Sequence, residues 1–282
     1  MISDYLELGK ARLNFLVLVS TFVGFYAGSP DVIDKWLLFH TLVATSLVAL
    51  GSGALNQLIE MKIDATMNRT KDRPLPAGRL TQRQALFFGC VTSLTGLAYL
   101  LISVNILTCA IAAITLISYL LVYTPLKRIT WYNTLVGAVP GAFPPLLGWT
   151  AATDHLALGG LSLFAILFFW QIPHFFAIAW VYREDYRLAG FHMLPVIDPD
   201  GKRTAFQAII HTFLLLAASV LPSWLGITGK VYLVGAIILG LAFLVLAFRF
   251  LGDKSNRTAR ILFFGSVFYL PLLLALIVFD KK

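Results

Sequence analysis

Three polar residues at a spacing of four follow one of the long apolar stretches of the sequence. Asn56, Glu60 and Asp64 would lie on one face of a helix, because residues four apart stack one turn above the other. Mg²⁺ prefers oxygen ligands, commonly takes one or two carboxylates and completes its shell with substrate phosphates. The spacing therefore predicts a Mg²⁺ site, and the alternative is an interfacial loop whose acids neutralise its own bases.

Basic residues follow this stripe directly, and they indicate an anion-binding site beside the predicted Mg²⁺ site. Arg69 and Arg73 are again four apart, and Lys71 lies between them. Guanidinium groups bind phosphate oxygens through paired hydrogen bonds, so these residues are candidates to bind a diphosphate. Pro74 and Pro76 are expected to end any helix that reaches them.

A second polar segment could do related chemistry. If it is helical, Tyr182, Asp185 and Tyr186 share a face. The phenols could donate hydrogen bonds to an anion, Glu184 or Asp185 could bind a second Mg²⁺, and Arg183 could contact phosphate. The alternative is a loop that carries only topology-setting charge.

A third group of candidates ends another apolar stretch. Pro125 is expected to end a helix there, which leaves Tyr123, Lys127 and Arg128 at its rim. These residues could bind the same diphosphate, or the two bases could simply set topology.

His174 lies inside an apolar stretch, eight residues before Tyr182. Eight residues of helix span about 12 Å, a depth at which an ionisable side chain is costly in a membrane. His174 is therefore a candidate catalytic residue. The alternative is a hydrogen bond to a neighbouring helix, helped by Pro173, which frees a backbone carbonyl one turn earlier.

These candidates belong to a chain of 282 residues that is 59% hydrophobic and only 13% charged. Soluble domains are about 45–50% apolar, and a helix needs about 20 apolar residues to cross a bilayer. We predict an all-α polytopic membrane protein, without the alternating pattern of an outer-membrane barrel. The nine predicted spans cover residues 13–28, 36–57, 84–104, 106–123, 134–152, 158–181, 205–224, 229–250 and 261–279.

Charge predicts the orientation of these spans. With the N-terminus in the cytoplasm, the outer segments hold only Lys35, Lys230, Lys281 and Lys282, and the other 18 of the 22 Lys and Arg residues face inward. The net charge of +8 is then topological and gives no reason to expect nucleic acid. Both polar segments are predicted at the cytoplasmic face of a bacterial inner membrane, with the C-terminus in the periplasm and the first span retained.

The polar features recur every four spans. The two polar segments follow the second and sixth spans, and basic residues follow the fourth and eighth. This periodicity predicts one transmembrane domain, residues 1–282, in which two four-helix pseudo-repeats and a ninth helix surround a central cavity.

The motifs together resemble the UbiA superfamily of intramembrane prenyltransferases. The Asn56, Glu60 and Asp64 spacing, followed by "MNRTKDRPLP" (67–76), resembles its first aspartate-rich motif. "QIPHFFAIAW" (171–180) and "YREDYRLAGFHMLPV" (182–196) resemble its haem O synthase branch. The chain departs from many relatives, which carry Asp where Gln57 and Glu60 stand and often carry Asp where Tyr182 and Tyr186 stand. The haem branch shares the tyrosines, whose phenols stand in place of two carboxylates that could bind a second Mg²⁺.

The resemblance implies a specific reaction. The farnesyl group of farnesyl diphosphate would join a vinyl group of haem B with addition of water, giving haem O and diphosphate. Glu60, Asp64, Tyr182 and His174 would be catalytic, with His174 either an axial haem ligand or a base for water. The lipid bilayer would surround the protein, and a homo-oligomer or a downstream haem-modifying enzyme would be its protein partners.

Three other functions remain open from the sequence. The chain could prenylate another aromatic or tetrapyrrole acceptor, or act as a haem chaperone without catalysis. A secondary transporter is also compatible with internal repeats, but its polar site would lie near the membrane midplane and not at one face.

Overall fold

The structure is a computed structural model that describes residues 2–30 and 32–282, and within these ranges it is almost entirely helical. The α-helices are α1 (Ile2–Leu8), α2 (Ala11–Gly28), α3 (Lys35–Asp64), α4 (Gln82–Ser103), α5 (Ile106–Ile117), α6 (Thr124–Leu126), α7 (Asn133–Thr153), α8 (Leu158–Val181), α9 (Arg183–Leu188), α10 (Leu194–Ile197), α11 (Lys202–Trp224), α12 (Lys230–Asp253) and α13 (Asn256–Phe279). A π-helix, Ser118–Tyr123, joins α5 to α6.

Nine segments in the described ranges are long and apolar enough to cross a membrane, α5 to α6 counting as one. The predicted number of spans and the all-α class are thereby confirmed. The boundary between the third and fourth spans falls at Val104 and Asn105, as expected. Asn105 begins α5, because its side chain accepts a hydrogen bond from the Thr108 N–H at 2.7 Å.

The helix α3 is the element that carries the first motif. The Asp34 carboxylate caps its start by accepting from the N–H groups of Trp36 and Leu37. The helix then runs for 30 residues to Asp64. That length is about 45 Å, whereas the apolar core of a bilayer is about 30 Å thick. The last turns therefore extend beyond the predicted span, and they carry the polar stripe.

The helices α3 and α4 pack closely because small residues line their contact. A Cβ atom on Gly51 would lie 2.6 Å from the Gly89 carbonyl oxygen, and one on Gly96 would lie 2.8 Å from that of Ala44. Such residues let backbones approach, which is how membrane helices gain packing energy. The end of α3 that carries the first motif therefore belongs to a closely packed pair of helices.

The fourth span ends one residue after Pro125, close to where this proline was expected to end it. The helix continues through Pro125 to Leu126, after six residues of π-helix. Proline lacks an N–H and its ring crowds the carbonyl of the preceding turn. A π-helical turn holds an extra residue, and here the Thr124 N–H bonds to the Tyr119 carbonyl, five residues back. The widened turn thus accommodates the proline.

The described residues divide into two compact units. The first comprises residues up to 126 with 143–155 and 188–190, and the second comprises 127–142, 156–187 and 191–282. In the first unit, Leu8, Ala54, Leu75, Leu80 and Ala85 form one core cluster. In the second unit, Ala138, Ile172, Phe176 and Leu194 form another.

Candidate active site

The polar stripe on α3 is buried within the first unit. The exposed fractions of Asn56, Glu60 and Asp64 are 0%, 6% and 2%. Burying a carboxylate is unfavourable unless a cation or several donors share its site. The predicted helical stacking of these residues is confirmed, and all three side chains are buried.

Arg73 contacts the far end of the stripe. Its guanidinium donates to Asp64 Oδ2 at 2.8 Å, and Arg73 is only partly exposed. The Thr70 hydroxyl donates to the Asp64 backbone carbonyl at 2.8 Å, which closes the turn after the helix. Acid and base are therefore brought together, as the sequence suggested.

The spacing of Arg69 and Arg73 has a different origin from a helical stack. The helix ends at Asp64, ten residues before Pro74, and residues 65–80 form successive turns. Arg69 and Lys71 are exposed, and Lys71 donates to the Asn68 amide oxygen at 3.2 Å. Buried Leu75 and Leu80 anchor this loop in the core of the first unit. The loop conformation comes from these contacts, which periodicity does not reveal.

Lys10 is a site residue that the sequence analysis missed. It lies between α1 and α2, and its Nζ donates to Asn56 Oδ1 at 2.5 Å and to the Tyr119 hydroxyl at 3.2 Å. In this arrangement the Asn56 amide oxygen is engaged by an ammonium group. Its only sequence signal was a cation before the first span, which topology already explained.

Gln57, the residue after Asn56, contacts the end of α1. Its amide nitrogen donates to the carbonyls of Glu7 and Leu8, at 3.0 and 2.9 Å. These are carbonyls at the end of α1, which the helix itself leaves unsatisfied. Gln57 therefore fastens α1 to α3, and Lys10 follows two residues later.

In the second unit, the helix path breaks at Tyr182, between α8 and α9. Asp185 and Tyr186 lie on the short helix, and the Tyr186 N–H donates to the Tyr182 carbonyl at 3.1 Å. Arg183 donates to the Trp180 carbonyl and to Asn256 Oδ1, each at 2.8 Å. Exposed Glu184 accepts from Arg187 at 2.9 Å. These contacts hold the segment in shape.

Lys127 and Tyr186 meet at a residue that the sequence analysis did not single out. Phe191 packs against Tyr186, with ring centroids 5.9 Å apart, and Lys127 Nζ lies 5.8 Å from the same Phe191 ring. The His192 N–H donates to the Lys127 carbonyl at 2.8 Å, and the neighbouring Arg128 is exposed. Two predicted anion-binding residues thus lie close together. Tyr123 lies in the π-helix of the first unit and stacks on Tyr119.

His174 lies on α8, with a hydrogen bond to α13. Its Nδ1 is 2.7 Å from Ser266 Oγ, and its ring packs between Trp170 and Phe263, with centroids 4.9 and 5.0 Å away. The helix-to-helix hydrogen bond considered as the alternative is therefore present. It leaves Nε2 as the ring nitrogen with chemistry to offer.

The donor set on α3 fits a cation that shares its shell with a substrate. Among the described residues, no three histidine, cysteine or acidic side chains are grouped as a metal site. Glu60 and Asp64 instead supply two buried carboxylates one turn apart. That is the number Mg²⁺ typically takes when phosphates complete its shell.

Comparison with known proteins gives concordant matches. Residues 17–272 match the model of the UbiA prenyltransferase family. A protoheme IX farnesyltransferase of Solibacter usitatus is 46% identical over 288 residues, covering 99% of this chain and 98% of its own. One of Salinibacter ruber is 46% identical over 280 residues, covering 99% of both chains.

Two solved structures are similar in fold. A digeranylgeranylglyceryl phosphate synthase superposes with a TM-score of 0.84 at 20% identity, covering 99% of this chain and 98% of its own. A UbiA homologue from Archaeoglobus fulgidus, bound to GPP and Mg²⁺, has a TM-score of 0.71 at 16% identity, covering 97% and 99%.

Proposed function

The chain belongs to the UbiA prenyltransferase family, and from this premise we propose that it transfers the farnesyl group of farnesyl diphosphate to haem B. One observation carries the proposal: relatives that match nearly the whole chain at 46% identity are named protoheme IX farnesyltransferases. The chain is an integral multi-pass membrane protein. We place it in a bacterial inner membrane with the site at the cytoplasmic face, on the distribution of Lys and Arg.

The diphosphate is proposed to bind beside the stripe on α3. Glu60 and Asp64 would hold Mg²⁺, and Arg69, Lys71 and Arg73 follow them on the loop. The GPP and Mg²⁺ bound by the Archaeoglobus fulgidus homologue support a divalent cation with a prenyl diphosphate. When bound, Mg²⁺ supplies charge stabilisation for the leaving diphosphate. Lys10 adds a further positive charge at the head of the stripe.

We propose a further group of anion-binding candidates, most of which lie in the second unit. Lys127 and Tyr186, which both contact Phe191, present an ammonium and a phenol from one cluster. Tyr182, Arg183, Arg128 and Tyr123 remain candidates for the same role, and Glu184 and Asp185 for a second cation. Because Glu184 is paired with Arg187, Asp185 is the better candidate of the two to bind a cation.

The proposed reaction balances as follows. The bond between farnesyl C1 and the diphosphate oxygen breaks, and C1 bonds to the terminal vinyl carbon of haem B. Water adds to the vinyl carbon beside the porphyrin ring and loses a proton, which leaves a hydroxyethylfarnesyl chain. The arginine and lysine side chains stabilise negative charge as diphosphate departs. Apolar surroundings keep bulk water from the allylic carbon before it reacts.

A haem-pigment assay tests this function. The purified protein in lipid nanodiscs, given Mg²⁺, farnesyl diphosphate and haem B, should yield a more hydrophobic haem on reverse-phase chromatography. Diphosphate should be released in equal amount, and omission of farnesyl diphosphate should abolish both signals. If the protein instead prenylates a quinone precursor and leaves haem B unchanged, the proposed acceptor is wrong. Pigment binding without any diphosphate release would indicate a carrier.

A further inference from the structure

Four side chains of the first unit form one hydrogen-bonded chain, which we call the Asn56 network: Lys10, Asn56, Tyr119 and Thr124. Lys10 Nζ donates to Asn56 Oδ1 at 2.5 Å. At the other end of the amide, Asn56 Nδ2 donates to Thr124 Oγ1 at 3.1 Å. Thr124 Oγ1 in turn donates to the Tyr119 carbonyl at 2.8 Å. Asn56 and Thr124 are 0% and 4% exposed, so water does not substitute for these partners.

The hydrogen bonds of the Asn56 network have only one possible order of donors and acceptors. A backbone carbonyl only accepts, so the single hydrogen of the Thr124 hydroxyl is committed to Tyr119. Thr124 can then offer Asn56 only a lone pair, which must be met by the NH₂ end of the amide. The carbonyl end of Asn56 is thereby turned toward Lys10. The Tyr119 carbonyl, acting through Thr124, and the Lys10 ammonium, which can only donate, therefore require the same orientation of the buried Asn56 amide.

The π-helix is the reason that Tyr119 and Thr124 meet. In a regular α-helix the Tyr119 carbonyl would accept from residue 123, four positions on. Here the Thr124 N–H donates to it instead, five positions on. The widened turn places the Thr124 hydroxyl beside the same carbonyl. π-Helical turns often occur at functional sites, and this one faces the head of the polar stripe.

Lys10 shows that the network holds a conformation of intrinsically low stability. Its φ is 55°, in the left-handed region that side chains other than glycine rarely adopt. Its ammonium contacts both Asn56 and the Tyr119 hydroxyl, at 3.2 Å from the latter. Tyr119 therefore acts at two points, with its carbonyl on Thr124 and its phenol on Lys10.

We propose that Thr124 and Tyr119 are positioning residues, which orient the Asn56 amide and so hold Lys10 and Asn56 ready for the diphosphate. This inference rests on the proposed function, because it concerns the site at which the diphosphate would bind. Neither residue is proposed to touch the reacting atoms.

The test measures binding of farnesyl S-thiolodiphosphate, an unreactive analogue, by calorimetry in nanodiscs with Mg²⁺ and without haem. Thr124→Val keeps the shape of the side chain but removes the hydroxyl, and should weaken analogue binding about tenfold, the usual scale for a buried polar group left unpaired. Thr124→Ser keeps the hydroxyl and should bind the analogue within about twofold of the parental protein. Tyr119→Phe keeps the carbonyl and loses only the contact with Lys10, so its effect should be smaller than that of Thr124→Val.

The same chain offers a matched control. Thr108 and Thr150 are both 0% exposed, and their hydroxyl oxygens lie 3.1 Å apart. Thr108 is in the same span as Thr124, about 24 Å away along the helix axis. Thr108→Val should lower the melting temperature about as much as Thr124→Val and leave analogue binding unchanged. In turnover assays, Thr124→Val should raise KM for farnesyl diphosphate and leave KM for haem B unaltered.

The outcomes separate the two proposals. If the parental protein fails to bind the analogue, the proposed function fails, and this inference with it. If the parental protein binds it and Thr124→Val binds it equally well, only the positioning role is wrong. Equal losses of binding in Thr124→Val and Thr108→Val would show a general effect on stability, which also overturns the positioning role.

Discussion

The carboxylates of Glu60 and Asp64 are buried, with exposed fractions of 6% and 2%, in a protein that has few charged residues. A buried carboxylate must be paired or must coordinate a cation. Asp64 has Arg73 at 2.8 Å, which satisfies one oxygen and leaves the carboxylate able to accept on the other. The two acids are therefore the residues at which loss of charge should matter most.

Glu60→Gln and Asp64→Asn test the proposed metal pair. Each keeps the side-chain shape and removes a negative charge, so turnover should fall by a factor of about 100 or more, since metal-assisted charge stabilisation supplies several kcal/mol. Calorimetric titration with Mg²⁺ and the unreactive analogue should show the same loss. Circular dichroism should report a folded protein in both variants. Near-parental turnover in both would show that the stripe does not hold the metal.

Arg73→Lys tests the proposed diphosphate clamp. Lysine keeps the charge but lacks the planar fork that matches phosphate and carboxylate oxygens. KM for farnesyl diphosphate should rise about tenfold, and KM for haem B should stay unchanged. Arg79→Lys is a matched control, because Arg79 pairs with Asp4 and Glu7 at 3.1 and 2.5 Å and contacts neither acid of the stripe in these pairs. A rise in both KM values would assign Arg73 a structural role.

His174→Ala should lower haem O formation, and the spectrum of bound haem distinguishes the two roles. A shifted Soret band with weaker haem binding would indicate an axial ligand. An unchanged band with less hydroxylated product would indicate a base for water. Ser266→Ala is the control for packing, since it removes the 2.7 Å hydrogen bond and keeps the imidazole. Haem O formation at the parental rate in His174→Ala would leave only the packing role.

At this scale the sequence predicted the stripe, because residues spaced by four lie on the same face of a helix. It did not predict Lys10 or Phe191. Lys10 contacts Asn56, 46 residues away in the sequence. The contact depends on a left-handed backbone conformation at Lys10, which the presence of a lysine does not predict. Phe191 joins Lys127 to Tyr186 through packing alone. Such contacts depend on where the chain turns, which local periodicity does not contain.

At the scale of elements, hydropathy predicted where helices lie better than where they end. The helix α3 runs seven residues past the predicted span, to Asp64, and Glu60 and Asp64 are buried in these last two turns. The π-helix at Ser118–Tyr123 and the turns of residues 65–80 were not predicted. Both depend on which carbonyls accept which N–H groups, and that choice is made by tertiary contacts.

The start of α12 shows how one element completes another. Gly229 precedes this helix and has no side chain with which to cap it. Asp280, after the end of α13, accepts from the Tyr232 N–H at 2.7 Å and its own carbonyl accepts from the Gly229 N–H at 2.8 Å. An acceptor in the first turn also interacts favourably with the helix dipole. Asp280 therefore caps α12 from 48 residues away.

Asp280→Ala should destabilise the second unit by about 1 kcal/mol, the usual cost of losing an N-terminal cap. The measurement is thermal unfolding in detergent, followed by the fluorescence of a single thiol-reactive dye. Asp280→Asn keeps an oxygen acceptor and should lie between Asp280→Ala and the parental protein. An Asp280→Ala variant that melts at the parental temperature would show that this cap contributes nothing measurable.

At the scale of the whole molecule, the fold follows from the count and polarity of the spans. Nine apolar segments and the family match make the class secure, whereas the two four-helix pseudo-repeats and the central cavity remain a prediction from the recurrence of polar segments. A single domain over residues 1–282 is likewise still a prediction. Internal symmetry of this kind is recognised from the way helices pack, and the sequences of the two halves are too dissimilar to establish it.

Orientation is the whole-molecule property that the distribution of Lys and Arg predicts. Eighteen of the 22 Lys and Arg residues fall in segments that would be cytoplasmic if the N-terminus is inside, and inverting the chain would place them all outside. With nine spans, this orientation predicts a C-terminus in the periplasm. We expect single cysteines at Lys71 and Asp200, in exposed polar loops, to resist an impermeant maleimide in intact cells, and cysteines at Asp154 and Lys282 to react.

The labelling needs a background without reactive thiols, and the chain makes that simple. Cys90 and Cys109 both lie within spans and can be replaced by alanine or serine. Permeabilised cells supply the control, because all four engineered sites should then react. Labelling of position 71 in intact cells would place the first polar segment outside, away from a cytoplasmic pool of farnesyl diphosphate. The reciprocal pattern of four sites is decisive because an eight-span or ten-span topology would move the C-terminal site to the cytoplasm and leave position 71 where it is.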